Sequence, residues 1–318
     1  MLNKKNLKIL VNNPEYFDKD AIKILSSIGN VTAKNIDYDE LLKKIAIFDI
    51  IVIRVDTKIT KQLLDNAKKL RLIGSATTGL NHIDTKYAKE KKIRIISLHG
   101  THTIPTAQHT IALIFALSRK IPWAFENLKK GKWDRHKFIG TQLNKKTIGI
   151  IGLGRIGSQV AKYSKAFGMN VIAYDPFIKK SNLATLVTLN YLLKNSDIVS
   201  LHPSLTNKTK NMIRLKEFKL MKKTAFLINT SRGEVLDSDA LLLSLKKGII
   251  AGAALDVFIE EPFLGKNNGF VKYALRNKNL LITPHIGAST KEAVHAAGIE
   301  IAYNIKKEIN LLYKDKKR

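Results

Sequence analysis

Apolar runs of four to six residues alternate with amphipathic stretches from one end of the chain to the other. LKILV, DIIVI, LRLIGS and IRIIS come first, with helical patterns such as DAIKILSSI between them. A second series follows: TIGIIG, NVIAYD, DIVSLH, TAFLINT, AGAALDV and NLLITPH. Continuous β-branched runs separated by helices predict parallel strands covered on both faces, an α/β architecture. The two series part at residues 101–140, where TAQHTIALIFALSRKI has helical periodicity and enough apolar residues to be largely buried. Pro122 follows, and a second helical pattern leads toward GKWDRHKFIG. The spacing predicts two domains joined through this region. A last long helix, TKEAVHAAGIEIAYNIKKEINLLY, is expected to return to the first of them.

The second series opens with KKTIGIIGLGRIGSQVAKYSKAFGMNVIAYDP. A strand runs straight into Gly152, Gly154 and Gly157, and a helix follows. Gly152 permits the tight turn, Gly154 lets a pyrophosphate approach the backbone, and Gly157 lets the helix pack closely on the strand. The first-turn amides and the helix dipole then face the phosphates. NVIAYD ends in Asp175, at the spacing of an acid that hydrogen-bonds ribose hydroxyls. A carboxylate there repels a 2′-phosphate and favours NAD over NADP, although Lys179 and Lys180 nearby pull the other way.

Reactive side chains stand at the ends of the later strands. LINTSRGEVLD places Arg232 just after one strand, AGAALDVFIEEP places Asp256, Glu260 and Glu261 after the next, and LITPHIGAST places His285 after the last. Ligands of an open parallel sheet bind outside the carboxyl ends of its strands, so these residues can converge on a nicotinamide. Oxidation of a secondary alcohol needs a base for the hydroxyl proton, which suits histidine. A carboxylate on the other ring nitrogen fixes the tautomer. An arginine can hold an α-carboxylate bidentately. The bland alternative for Arg232 is a structural ion pair.

At these residues the sequence resembles the D-isomer-specific 2-hydroxyacid dehydrogenases. GLGRIG, NTSRGEVLD, AGAALDVFIEEP and PHIGASTKEA stand in family order across nearly the whole chain. The resemblance implies a catalytic set of Arg232, Glu261 and His285, with Asp256 near the nicotinamide and Glu260 solvated. It implies cofactor contacts at Arg155, Ile156, Pro203, Thr209, Thr230 and Gly287 beside those above. It also implies a Rossmann-type nucleotide-binding domain, residues 101–287, inserted into a flavodoxin-like α/β substrate domain made of residues 1–100 and 288–318, and a homodimer with its interface in 101–140. IVIRVDTKIT and GKWDRHKFIGTQL are similar to the family branch that oxidises 3-phosphoglycerate, which makes Arg54 and Arg135 expected substrate contacts. In GSATTGLNHID, however, Ser75 and Thr77 stand where that branch carries a basic residue and a glycine, and Gln108 replaces a common glutamate. Thr78 and Gly79 can still offer backbone amides to a carboxylate. 3-Phosphoglycerate is the first expectation for the substrate, and glyoxylate, hydroxypyruvate or another 2-keto acid is the alternative. The chain ends after the long helix, so the regulatory domain of longer relatives, and serine feedback through it, is expected to be missing.

Composition narrows the rest. With no cysteine, disulfides and thiolate chemistry are excluded. No apolar run is long enough to span a membrane, and the first is too short for a signal peptide, so a cytoplasmic enzyme is expected. His99 and His102 form half a metal site that nothing completes, and no metal is expected. His202 is read as shaping the turn after its strand. The net charge of +29 motivates a reading from another class, a dehydrogenase-fold regulator that binds a polyanion. Its lysines are scattered over helical segments, and only KDKKR resembles a basic tail, so no nucleic-acid partner is expected. An Arg/Glu/His set would have no purpose in such a regulator.

Overall fold

The computed structural model describes residues 7–261 and 267–315. The end of the basic tail and Pro262, the last residue of AGAALDVFIEEP, lie outside them. The chain divides into two compact units, one from the residues up to His102 together with those from Ser289, the other Thr103–Ala288.

The first unit is a five-stranded parallel sheet: β1 (Lys8–Val11), β2 (Asn30–Ala33), β3 (Ile50–Ile53), β4 (Leu72–Ser75) and β5 (Arg94–Ser97), in the order β2-β1-β3-β4-β5. That is the flavodoxin-like order. Every residue of β3 and β4 is buried, as their unbroken apolar runs require of central strands covered on both faces. Leu10, Ile51, Ile53 and Ile73 fill one face with Leu41, Leu63 and Leu64. On the other, Ile9, Ile50 and Leu72 meet Ala297, Ile301, Ile305 and Ile309 of helix Lys291–Asp315. At Gly74 that helix comes close, since a Cβ there would lie 2.5 Å from the end of Ile305.

The second unit holds β6 (Thr147–Ile151), β7 (Asn170–Tyr174), β8 (Thr185–Leu186), β9 (Ile198–Leu201), β10 (Phe226–Asn229), β11 (Gly252–Leu255) and β12 (Leu280–Ile282). Their order, β12-β11-β10-β9-β6-β7-β8, is all parallel and reverses direction at β6. That reversal opens a crevice at the carboxyl end of β6, the usual seat of a dinucleotide. Helix Thr103–Ser118 covers one face, packing Leu113, Ile114 and Leu117 with Val160 and Ala161 of helix Arg155–Ala166. Pro122 opens helix Ile121–Lys129, where its missing amide costs nothing. Most helices begin on a side-chain cap, such as Asp18, Asp37 and Thr60 in the first unit and Thr188, Asp237 and Asn268 in the second.

Of the twelve strands among the described residues, ten follow the apolar runs; β2 and β8 do not. Both are edge strands with exposed residues, NVTA and TL, and a strand buried on neither face has no apolar run to announce it.

Candidate active site

At the end of β6 each glycine meets a different constraint. Gly152 has φ +88°, and a Cβ on it would lie 2.8 Å from the carbonyl of His202 and the nitrogen of Pro203. The loop therefore abuts the turn after β9, at the point where the strand order reverses. A Cβ on Gly157 would lie 2.0 Å from the Gly152 oxygen, so the helix touches its own entry loop. Gly154, at the helix N-cap, meets nothing within 4 Å. The space ahead of the helix, where a pyrophosphate would sit on the amides of Arg155 and Ile156, is open. Asp175, after β7, accepts from Leu153 N at 2.8 Å and Phe177 N at 2.9 Å, holding its carboxylate beside the glycine loop. These residues fit a dinucleotide.

Three strand ends on the other side of the switch point carry the candidate chemistry. After β10, the buried Asn229 side chain takes the Ser231 amide (3.0 Å) and hydroxyl (2.8 Å) on Oδ1 and donates to the Arg232 carbonyl (2.9 Å). This Asx turn fixes Arg232, whose Nη1 donates to the Ser231 carbonyl at 2.6 Å. Burial lowers the Arg232 pKa from its ordinary value, while Glu234 and Glu261 pull it back up. The same loop lies hard against the chain after β11: a Cβ on Gly233 would be 2.0 Å from the Phe258 carbonyl carbon. Arg232 and Glu261 thus belong to two loops in direct contact.

The three acids of AGAALDVFIEEP separate cleanly. Asp256 is 1% exposed and accepts from Thr283 Oγ1 (2.6 Å), Ile286 N (2.9 Å) and Gly287 N (2.8 Å), with His109 Nε2 at 3.3 Å. Burial raises its pKa, but hydrogen bonds led by those from His109 and Thr283 outweigh burial and keep the carboxyl below its ordinary value. Glu260 is exposed. Glu261 accepts from the Phe258 amide at 2.6 Å through Oε1 and meets His285 Nδ1 at 2.5 Å through Oε2. With Nδ1 committed to the carboxylate, the Nε2 lone pair of His285 is the basic one.

Residues 111–287 match the family model described as "D-isomer specific 2-hydroxyacid dehydrogenase, NAD binding domain". The chain belongs to the D-isomer specific 2-hydroxyacid dehydrogenases. Its second unit is the NAD-binding domain of that family. The chain is 44% identical over 307 residues to the D-3-phosphoglycerate dehydrogenase of Methanocaldococcus jannaschii, covering 95% of this chain and 57% of that protein. It is 38% identical over 307 residues to the hydroxypyruvate reductase of Thermotoga maritima, 96% of this chain and 99% of that one. The crystal structure of D-lactate dehydrogenase from Aquifex aeolicus complexed with NAD and lactic acid superposes with a TM-score of 0.86 at 30% identity over 95% of each chain. The chain spans about half the length of the phosphoglycerate dehydrogenases it matches.

In this member of the family the remaining cofactor-contact candidates take up varied positions. Pro203 and Thr209 lie in the loop after β9, which Thr209 ties together by donating to Ser204 O at 2.6 Å. Thr230 is buried, its hydroxyl 2.8 Å from that of Thr110. Gly287 is held by Asp256, and a Cβ there would press on the carboxylate at 2.9 Å. His202 does abut the glycine loop; its Nε2 is 2.8 Å from Ser200 Oγ, and burial pushes its pKa down to about 3. Arg54, Thr78 and Gly79 belong to the first unit, at the carboxyl ends of β3 and β4. Arg135 is exposed and lines a cavity of about 780 Å³ with Phe115, Phe138 and Phe167, apart from the His285–Glu261 pair. Sequence reasoning passed over Asn229, Thr283 and His109, which set the turns and the carboxylate on which the others depend. For His109 a signal existed: a histidine one helical turn from Thr106 on a largely buried helix.

Proposed function

We propose that the chain catalyses NAD-dependent interconversion of a D-2-hydroxy acid and its 2-keto acid. The observation that carries this is the 2.5 Å contact of His285 Nδ1 with Glu261, on a loop packed against that of Arg232, at the carboxyl end of the sheet that also carries a glycine loop with open space at its helix start. Bound NAD supplies the hydride acceptor. His285 takes the hydroxyl proton at Nε2, Glu261 stabilises the imidazolium that forms, and Arg232 grips the substrate carboxylate and polarises the neighbouring oxygen. Asp256, pinned by two loop amides, shapes the wall on the nicotinamide side.

For the substrate, 3-phosphoglycerate is the first reading, giving 3-phosphooxypyruvate and opening serine biosynthesis. The similarity to phosphoglycerate dehydrogenases supports it. One observation favours a second reading, an unphosphorylated acid such as hydroxypyruvate or glyoxylate. Ser75 is buried and bonded to Thr77 Oγ1 (2.7 Å) and His82 Nε2 (3.1 Å), so this loop closes on itself and carries no lysine or arginine. NADH consumption with 3-phosphooxypyruvate, hydroxypyruvate and glyoxylate in parallel decides between them. Turnover on none of the three, nor on other 2-keto acids, would reject the dehydrogenase reading itself.

The same reading includes a cytoplasmic homodimer. Helix Ile121–Lys129 and the segment after it expose Ile121, Phe125, Leu128, Trp133 (81%) and Ile139 (72%), large apolar side chains that a partner copy would cover.

A further inference from the structure

The loops at the carboxyl end of the first sheet hold an arginine for which the described residues supply no acceptor. Arg54 follows β3 and is half-buried. Its Nε is sealed from solvent without a hydrogen-bond partner, and among the described residues its guanidinium makes no hydrogen bond or ion pair. A cation so placed is costly unless something compensates it. What touches it is a ring: Arg54 Cζ lies 4.2 Å from the centroid of Tyr16. A guanidinium lying on an aromatic face keeps the N–H edge of its plane available for a planar oxyanion.

Both partners are carried on backbone that is locked in place. Tyr16 closes the turn Pro14–Tyr16, entered through Asn13 at φ 61°. Thr57, buried, accepts from Asn12 Nδ2 and donates to Asn13 Oδ1, each at 3.0 Å. Asn12, also buried, exchanges two hydrogen bonds with the Ile36 backbone. One threonine thus joins the loop bearing the ring to the loop bearing the guanidinium. Loops 12–17, 54–57 and 75–79 contain Arg54 as their one cation, against Glu15 and Asp56. An anion docking on these loops depends on this guanidinium.

We propose that Tyr16 is a positioning residue that holds Arg54 flat, so that the free edge of the guanidinium takes an oxyanion of the substrate, its carboxylate or its phosphate. The inference rests on the reading of the chain as a 2-hydroxyacid dehydrogenase. Tyr16→Leu is expected to raise KM about tenfold while kcat stays within about twofold. Tyr16→Phe keeps the ring and should match the wild type. NADH affinity, read by its fluorescence, stays unchanged in both. A KM rise confined to 3-phosphooxypyruvate assigns the phosphate to Arg54; a rise on hydroxypyruvate and glyoxylate as well assigns the carboxylate. An unchanged KM in Tyr16→Leu on every substrate overturns the proposal, and so does a Tyr16→Phe protein as impaired as Tyr16→Leu. If the wild type turns over none of these acids, the dehydrogenase reading has failed on its own. Calorimetric titration with oxalate and with inorganic phosphate then tests the pair: binding weakened by Tyr16→Leu and kept by Tyr16→Phe supports it, and equal or absent binding in all three proteins overturns it.

Discussion

His285 sits at φ 52°, a backbone region that β-branched and bulky side chains avoid but asparagine tolerates. His285→Asn is therefore the substitution that removes the base while sparing the turn. It is expected to lower kcat by about 10²–10⁴-fold with NADH affinity retained, and Glu261→Gln to lower it less; stopped-flow fluorescence and steady-state rates check both. His202 makes a different prediction, on stability. Folded, it takes a proton only near pH 3, whereas the unfolded chain takes one below about 6.5. Between those limits the unfolded state binds more protons. Stability is thus full above pH 6.5 and falls as pH drops toward 3, by up to about 1.4 kcal/mol per pH unit. Urea unfolding at several pH values should show a shallower fall for His202→Asn than for the wild type. Arg232, Asp256, Glu261 and His285 stand out in the sequence as reactive side chains at strand ends; the family resemblance, not the pattern, singles out Glu261 as the partner of His285, and the two do meet. Asn229 and Thr283 do not stand out. A polar residue that holds a turn looks like any other turn residue until the backbone it bonds is known.

At the scale of elements, the glycine loop offers a sharper test than loss of binding alone. Gly154 has room for a methyl group in the protein but faces the space meant for pyrophosphate. Gly154→Ala is expected to melt like the wild type and bind NADH at least tenfold more weakly. In Gly157→Ala the new Cβ would strike the Gly152 carbonyl, so this variant should lose thermal stability, by roughly 1–3 kcal/mol. Calorimetric melts with NADH titrations separate the two; equal behaviour would mean that the loop has one role, not two. The strand-turn-helix order made this element legible before any coordinates, since three glycines at fixed spacing each have a separate physical purpose. The edge strands β2 and β8 left no such mark. Sequence patterns record burial, and these strands have little.

For the whole molecule, the exposed apolar face on 121–139 predicts self-association. Trp133→Asp should shift the sedimentation coefficient to that of a monomer of 35.7 kDa, and a wild type that already sediments as a monomer removes the dimer from the reading. The division into two units has a consequence of another kind, for how the protein is made. The second unit is one continuous stretch and can close as soon as it leaves the ribosome. The first begins earlier yet finishes last, because Ala297, Ile301, Ile305 and Ile309 complete a core that Ile9, Ile50 and Leu72 started. About 190 residues of synthesis separate His102 from the helix that brings them, which at ordinary elongation rates is roughly 10–40 s. Throughout that interval this face of the first sheet has helix Lys19–Ser26 on it but not the last helix, and the surface around Gly74 that Ile301 and Ile305 will meet stays open. The nascent chain is then most exposed to aggregation, and a holding chaperone would find its binding surface on the segment that ends at His102.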